Sequence, residues 1–235
     1  MALRALLFDK DGTLVDFALT WNGAAASVLA TLAGDDDGLH TRLAGILHFD
    51  RASATIMPTS PFVGSTVDDI AVEFAPALGD DDPEALAVRL SALFNAGALA
   101  SVAPIGDPHS LLTLLKAEGY LLGIITNDTE SGARAQAEKL GLDHLFDAII
   151  GYDSGHGRKP DPGQIHAFLD RFGVGPAEAA LIGDTMHDLD AARAAGVLAI
   201  GVTSGYLSEE AMAPHADHVI ASIMELPDLL AHQAL

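Results

Sequence analysis

The chain opens with a short, uninterrupted apolar run, Ala5-Leu6-Leu7-Phe8, that stops on a carboxylate at Asp9. A run of this length bounded by a turn signal reads as a strand buried on both faces of a parallel sheet. From about residue 15 to residue 100 the pattern changes to alanine-rich helical periodicity without convincing strands. Helices are predicted there over 18–33, 38–49, 66–78 and 83–98. From Pro104 onward apolar runs and amphipathic segments alternate. Helices are predicted near 108–118, 130–140, 163–172, 189–195 and 223–230, and strands over 120–125, 148–150, 179–182, 197–202 and 218–220. Such alternation implies an α/β fold, a doubly wound parallel sheet with helices on both faces. The first strand belongs to that sheet. The expected organisation is therefore a core made of residues 1–14 and 101–235, interrupted after its first strand by a helical insertion at 15–100.

Within the insertion, Gly34-Asp35-Asp36-Asp37-Gly38 and Gly79-Asp80-Asp81-Asp82-Pro83 separate the helices. Their acids suit the caps of the helices that follow, and neither run continues with calcium-loop spacing. Trp21, the single tryptophan, is expected to pack inside this segment. The breaker-rich stretch from Met57 to Ser65 reads equally as a substrate-facing loop or as a plain helix connection.

Composition narrows the partners. Of 235 residues, 12 are Lys or Arg against 33 Asp or Glu, a formal net charge of -21. That surface repels nucleic acid and anionic membranes, so neither is expected as a partner. No stretch is apolar for long enough to span a bilayer. The chain has no cysteine, which removes disulfides, thiol catalysis and Cys-based zinc sites and fits a cytoplasmic enzyme. Met1-Ala2-Leu3-Arg4 runs directly into the first strand, so no signal peptide is expected.

The chemistry collects where apolar runs end. Asp9 and Asp11 leave the first strand one residue apart, before the turn at Gly12. Two carboxylates held that close repel each other, and a hard divalent cation such as Mg²⁺ would compensate. Taken alone, the pair is also an ordinary acidic turn. Ile124-Ile125-Thr126-Asn127-Asp128 ends a second run in a hydroxyl and a main-chain N–H that could hold a phosphate oxygen, or could begin a helix. Lys159, one of only four lysines, lies in Gly157-Arg158-Lys159-Pro160-Asp161-Pro162, pinned between prolines or simply exposed in a turn. Leu181-Ile182-Gly183-Asp184-Thr185-Met186-His187-Asp188 ends a third run in two acids. Asp184 suits a metal; Asp188 suits a metal-bound water or Lys159. His187, next to hard oxygen ligands, reads as a cap or surface residue.

In this order and context, the four segments resemble the signatures of the haloacid dehalogenase superfamily. The stretch Gly183-Asp184-Thr185-x-x-Asp188-x-x-Ala191-Ala192-x-x-Ala195-Gly196 is most similar to its phosphoglycolate phosphatase branch. The resemblance implies a Rossmann-like core with a helical cap of the C1 type. It implies Asp9 as nucleophile on a small phosphomonoester and Asp11 as general acid and base. Mg²⁺ would be held by Asp9, the Asp11 carbonyl and Asp184. Thr126, Asn127 and Lys159 would hold phosphate, with Asp188 behind them. Lys10, between the two aspartates, is expected to point away from both along the strand alternation. A sugar phosphomutase shares these core residues. A phospho-receiver domain or a non-catalytic binding protein fits less well, because of the Asp9/Asp11 pair and the insertion. The sequence leaves a monomer or a homodimer equally open.

Overall fold

The computed structural model describes residues 2–232. In chain order the strands and helices are β1 (Ala5–Phe8), α1 (Phe17–Ala33), α2 (Asp37–Ile46), β2 (Phe49–Asp50), β3 (Thr55–Ile56), α3 (Val67–Leu78) and α4 (Pro83–Ser101). They continue with α5 (Pro108–Ala117), β4 (Leu121–Ile125), α6 (Glu130–Lys139), β5 (Ala148–Ile150), α7 (Gly163–Phe172) and β6 (Ala179–Gly183). The chain closes with α8 (Met186–Ala195), β7 (Leu198–Val202), α9 (Glu209–Met212), β8 (His218–Ile220) and α10 (Leu226–His232). Two compact units result: Met1–Asp16 with Pro104–Leu235, and Phe17–Ala103.

The first unit is built on one six-stranded sheet in the order β5-β4-β1-β6-β7-β8, parallel throughout. Central β1 is buried along its whole length. Its alternation divides the core. Leu6 and Phe8 join Leu111, Leu112 and Leu115 of α5 on one face, while Ala5 and Leu7 join Ile165, Phe168 and Leu189 of α7 and α8 on the other. Phe8 lies in register with Ile124 of β4 and with Ile182 of β6. The residues that follow these three strands therefore emerge side by side, at the carboxyl edge where open α/β sheets carry their ligand sites.

The second unit packs α1 most extensively against α4, and α4 against α3. Phe62 stacks with Phe94 at a centroid distance of 4.7 Å and meets Trp21 edge-on at 5.2 Å. The stretch from Met57 to Ser65 is thus anchored from within: Ser60 is buried and donates to the Leu47 carbonyl. Asp36 and Asp82 accept from Leu39 N and Ala85 N, capping α2 and α4.

Three expectations fail here. The insertion contains a small antiparallel hairpin, with Phe49 opposite Ile56 and Asp50 opposite Thr55. The helix expected to reach residue 49 stops at Ile46. His48 takes a left-handed φ of 48°, which ends helical propagation and turns Phe49 into the hairpin. In the core, α8 begins three residues earlier than the apolar periodicity indicates. Thr185 and Asp188 form a capping box that starts it.

Candidate active site

Asp9 directly follows β1, and its main-chain N–H still donates to Ile182 of β6. Asp184 follows β6, and Asp188 lies in the first turn of α8. Oxygens of these three buried carboxylates lie within 4.8 Å of one another. Lys159 reaches the same point from the loop before α7. Its ammonium donates to Asp9 Oδ1 at 2.5 Å and to Asp188 Oδ1 at 2.6 Å. The other Asp188 oxygen accepts from the Thr185 hydroxyl and N–H, so this carboxylate is held at both ends. Thr13 Oγ1 lies 3.4 Å from Asp184 Oδ1.

Three carboxylates against one ammonium leave the cluster two negative charges in excess when all are ionised. Burial disfavours that state. It raises Asp9 to about 7, against the pull of Lys159, and holds Asp184 well above the usual carboxylate range. Lys159 is pushed upward: its two carboxylate partners outweigh the burial that opposes its charge. A hard divalent cation fits this donor set in both charge and ligand type. The backbone leaves room beside Asp184. Gly12, at φ 81°, and Gly205 are each placed so that a Cβ would collide with the Asp184 carboxylate.

The residues that follow β4 are tied to the Lys159 loop. Thr126 is buried after β4, and its Oγ1 accepts from Asp128 N at 3.0 Å, which leaves the hydroxyl proton to be donated. Gln164 donates to the Thr126 carbonyl at 3.0 Å. The Asn127 side chain binds the Lys159 backbone in both directions: Nδ2 donates to the Lys159 carbonyl and Oδ1 accepts from its N–H, each at 2.9 Å. Asn127 thus ties the second motif to the third and fixes the root of the Lys159 side chain. Sequence reasoning used only the Asn127 main chain. It also missed Thr13, Gln164 and Gly205, of which only Thr13 carried a signal, as part of the first motif.

Two further placements differ from expectation. Lys10 does not point away from the aspartates; its ammonium donates to Asp11 Oδ2 at 2.5 Å. Residues 9–11 already lie beyond β1, so strand alternation no longer governs their side chains. The Asp11 carboxylate is turned to Lys10, and it is Asp188 that completes the three-carboxylate group with Asp9 and Asp184. His187 is exposed and stands outside that group.

Residues 6–202 match the haloacid dehalogenase-like hydrolase family. The phosphoglycolate phosphatase of Rhodospirillum rubrum is 32% identical over 231 residues, covering 97% of this chain and 90% of that protein. Phosphoglycolate phosphatase 1 of Pseudomonas aeruginosa is 30% identical over 228 residues, covering 97% and 78%. A haloacid dehalogenase-like family hydrolase from Streptococcus pneumoniae has the same fold, with a TM-score of 0.71 at 24% identity over 98% of this chain and 99% of that one.

Proposed function

The chain belongs to the haloacid dehalogenase-like hydrolase family, and on that premise we propose that it is a phosphatase of small phosphomonoesters of the phosphoglycolate type, acting through an aspartyl-phosphate on Asp9. The observation that carries this reading is the Lys159 ammonium clamped between Asp9 and Asp188, with Asp184 alongside, at the carboxyl edge of the sheet. The identity to phosphoglycolate phosphatases along nearly the whole chain supports the substrate class.

In this mechanism Asp9 attacks phosphorus in line, forming a carboxylate–phosphorus bond as the ester P–O bond breaks. Asp11 gives its proton to the departing alkoxide. It then takes a proton from the water that attacks the acyl phosphate, which releases inorganic phosphate and restores Asp9. Lys159, the Thr126 hydroxyl and the Asn127 N–H hold the non-bridging oxygens. Lys159 already sits on the nucleophile, so its charge is in place before the dianion arrives and no reorganisation is needed during transfer. Mg²⁺, when bound by Asp9, Asp184 and the Asp11 carbonyl, supplies further neutralisation of the phosphate charge. Residues 17–103 act in this scheme as the cap that selects the leaving group. Among the described residues they bury hydroxyls but no charged side chain.

The test is phosphate release from 2-phosphoglycolate and a panel of other phosphomonoesters, with Mg²⁺ or EDTA, by the wild type and by Asp9→Asn. The expected result is Mg²⁺-dependent release that falls by about 10⁴-fold or more in the variant, the scale of losing a nucleophile. Equal release by both proteins overturns the reading.

A further inference from the structure

Lys10 is a buried ammonium that the reaction scheme leaves without a task. It is only 2% exposed, although it sits one residue from the nucleophile. A buried lysine is costly unless its charge and its donors are satisfied. Here they are. Nζ donates to Asp11 Oδ2 at 2.5 Å and to Gln136 Oε1 at 3.0 Å, and lies 3.2 Å from Asp128 Oδ2. The two anchors are themselves fixed. Asp128 accepts from Thr129 N at 2.7 Å, and Gln136 is buried on α6. The ammonium therefore joins the turn after β1 to the segment after β4 and to α6. Of these partners, Asp11 is the one the reaction uses.

We propose that Lys10, braced by Asp128 and Gln136, is a positioning residue for the Asp11 carboxyl group, holding it in the orientation from which it protonates the leaving group. Lys10 neither gives nor takes a proton in this role. It restricts the rotation of a carboxylate that stands in a turn rather than on the strand. Without it, Asp11 loses that hold on its orientation, and misplacement of a reacting group by about 1 Å can cost on the order of 10²-fold in rate. The inference rests on the reading of Asp11 as general acid.

The leaving group supplies a test that a purely structural role would not pass. The alkoxide leaving 2-phosphoglycolate needs a proton. The acetate leaving acetyl phosphate, a molecule of similar size, does not. Asp11 also serves as base when water attacks the acyl phosphate, a step common to both substrates, so the readout is the first turnover: release of glycolate or acetate with enzyme in excess, before that step. Lys10→Met is expected to slow first-turnover release of glycolate from 2-phosphoglycolate by about 10- to 100-fold, a fraction of the 10²–10⁴ that general acid catalysis commonly supplies. The same variant should slow first-turnover release of acetate from acetyl phosphate by no more than about threefold and leave the enzyme concentration for half-maximal rate nearly unchanged with both substrates, because binding groups are untouched. Lys10→Met leaves Asp128 buried beside no cation, so Lys10→Met/Asp128→Asn is measured in parallel and is the protein read if the single variant does not fold. Asp11→Asn provides the reference and should show the same split between substrates, larger in size. Equal losses on the two substrates in the Lys10 variants, with the split intact in Asp11→Asn, overturn the role of Lys10. A missing split in Asp11→Asn overturns the reading of Asp11 itself.

Discussion

The two units handle charge in opposite ways. Among the described residues the core unit buries Asp9, Lys10, Lys159, Asp184 and Asp188, and it ties them together across the chain: Lys159 reaches back to Asp9, and Lys10 reaches forward to Gln136. The helical unit keeps its ions at the surface and pairs them locally, Arg51 with Asp37 and Arg89 with Asp80. Its interior is aromatic and aliphatic, organised around Trp21, Phe62 and Phe94. Buried charge disfavours folding unless each ion finds a partner, so its concentration at one sheet edge marks where stability has been given up for chemistry. Among the described residues the helical unit makes no such concession.

The sharpest way to break this contrast is Lys159→Met. Among the described residues it removes the only cation paired with Asp9 and Asp188, and it leaves both buried. The metal-free protein should lose about 3–5 kcal/mol of stability by chemical denaturation, the usual scale when one partner of a buried pair is deleted. Phosphoryl transfer should fall by about 10²–10³-fold, the scale of a lost electrostatic stabiliser. A variant as stable and as active as the parent would mean that the cluster carries no functional charge.

Metal and pH sharpen the same contrast. Burial lifts Asp9 to about 7 and raises Asp184 as well. Between the ordinary aspartate value of about 3.9 and about 7, the folded metal-free chain then binds more protons at these sites than the unfolded chain does. Their contribution to stability is present below about pH 4 and is lost as pH rises through about 7. Mg²⁺ requires the ionised carboxylates. The upward shift in melting temperature on adding Mg²⁺ should therefore be larger at about pH 7.5 than at about pH 5. Equal shifts at both values would place the ion away from this cluster.

The smallest effect is expected in the helical unit. Arg51→Ala removes an exposed pair with Asp37 and should leave the denaturation midpoint essentially where it is. A large fall in the midpoint would show that the charges of this unit are not the solvated pairs they resemble.

The legible parts of the molecule are those where apolar runs end in chemistry. β1, β4 and β6 announce themselves as uninterrupted apolar runs. Asp9, Thr126 and Asp184 stand at their ends because a parallel sheet brings those ends to one edge. Lys159 is visible as a scarce cation pinned by prolines. What escapes the sequence depends on side chains that meet only after folding. The Asn127 clamp on the Lys159 backbone joins residues far apart in the chain, and no local pattern announces it. The direction of Lys10 is misread because alternation is extended past the end of the strand. The β2–β3 hairpin is missed because its strands have two residues each, too few for any period to show.

A covalent phosphoryl group on Asp9 is the central step of the proposed reaction. The direct measurement is rapid acid quenching of the Mg²⁺-loaded enzyme during turnover of 2-phosphoglycolate. Borohydride reduction and peptide mass spectrometry of the segment around residues 5–16 follow. The prediction is conversion of Asp9 to homoserine in the quenched wild type, which reports a trapped acyl phosphate, and none without substrate. Turnover with Asp9 unmodified, or with the modification on another carboxylate, would contradict it.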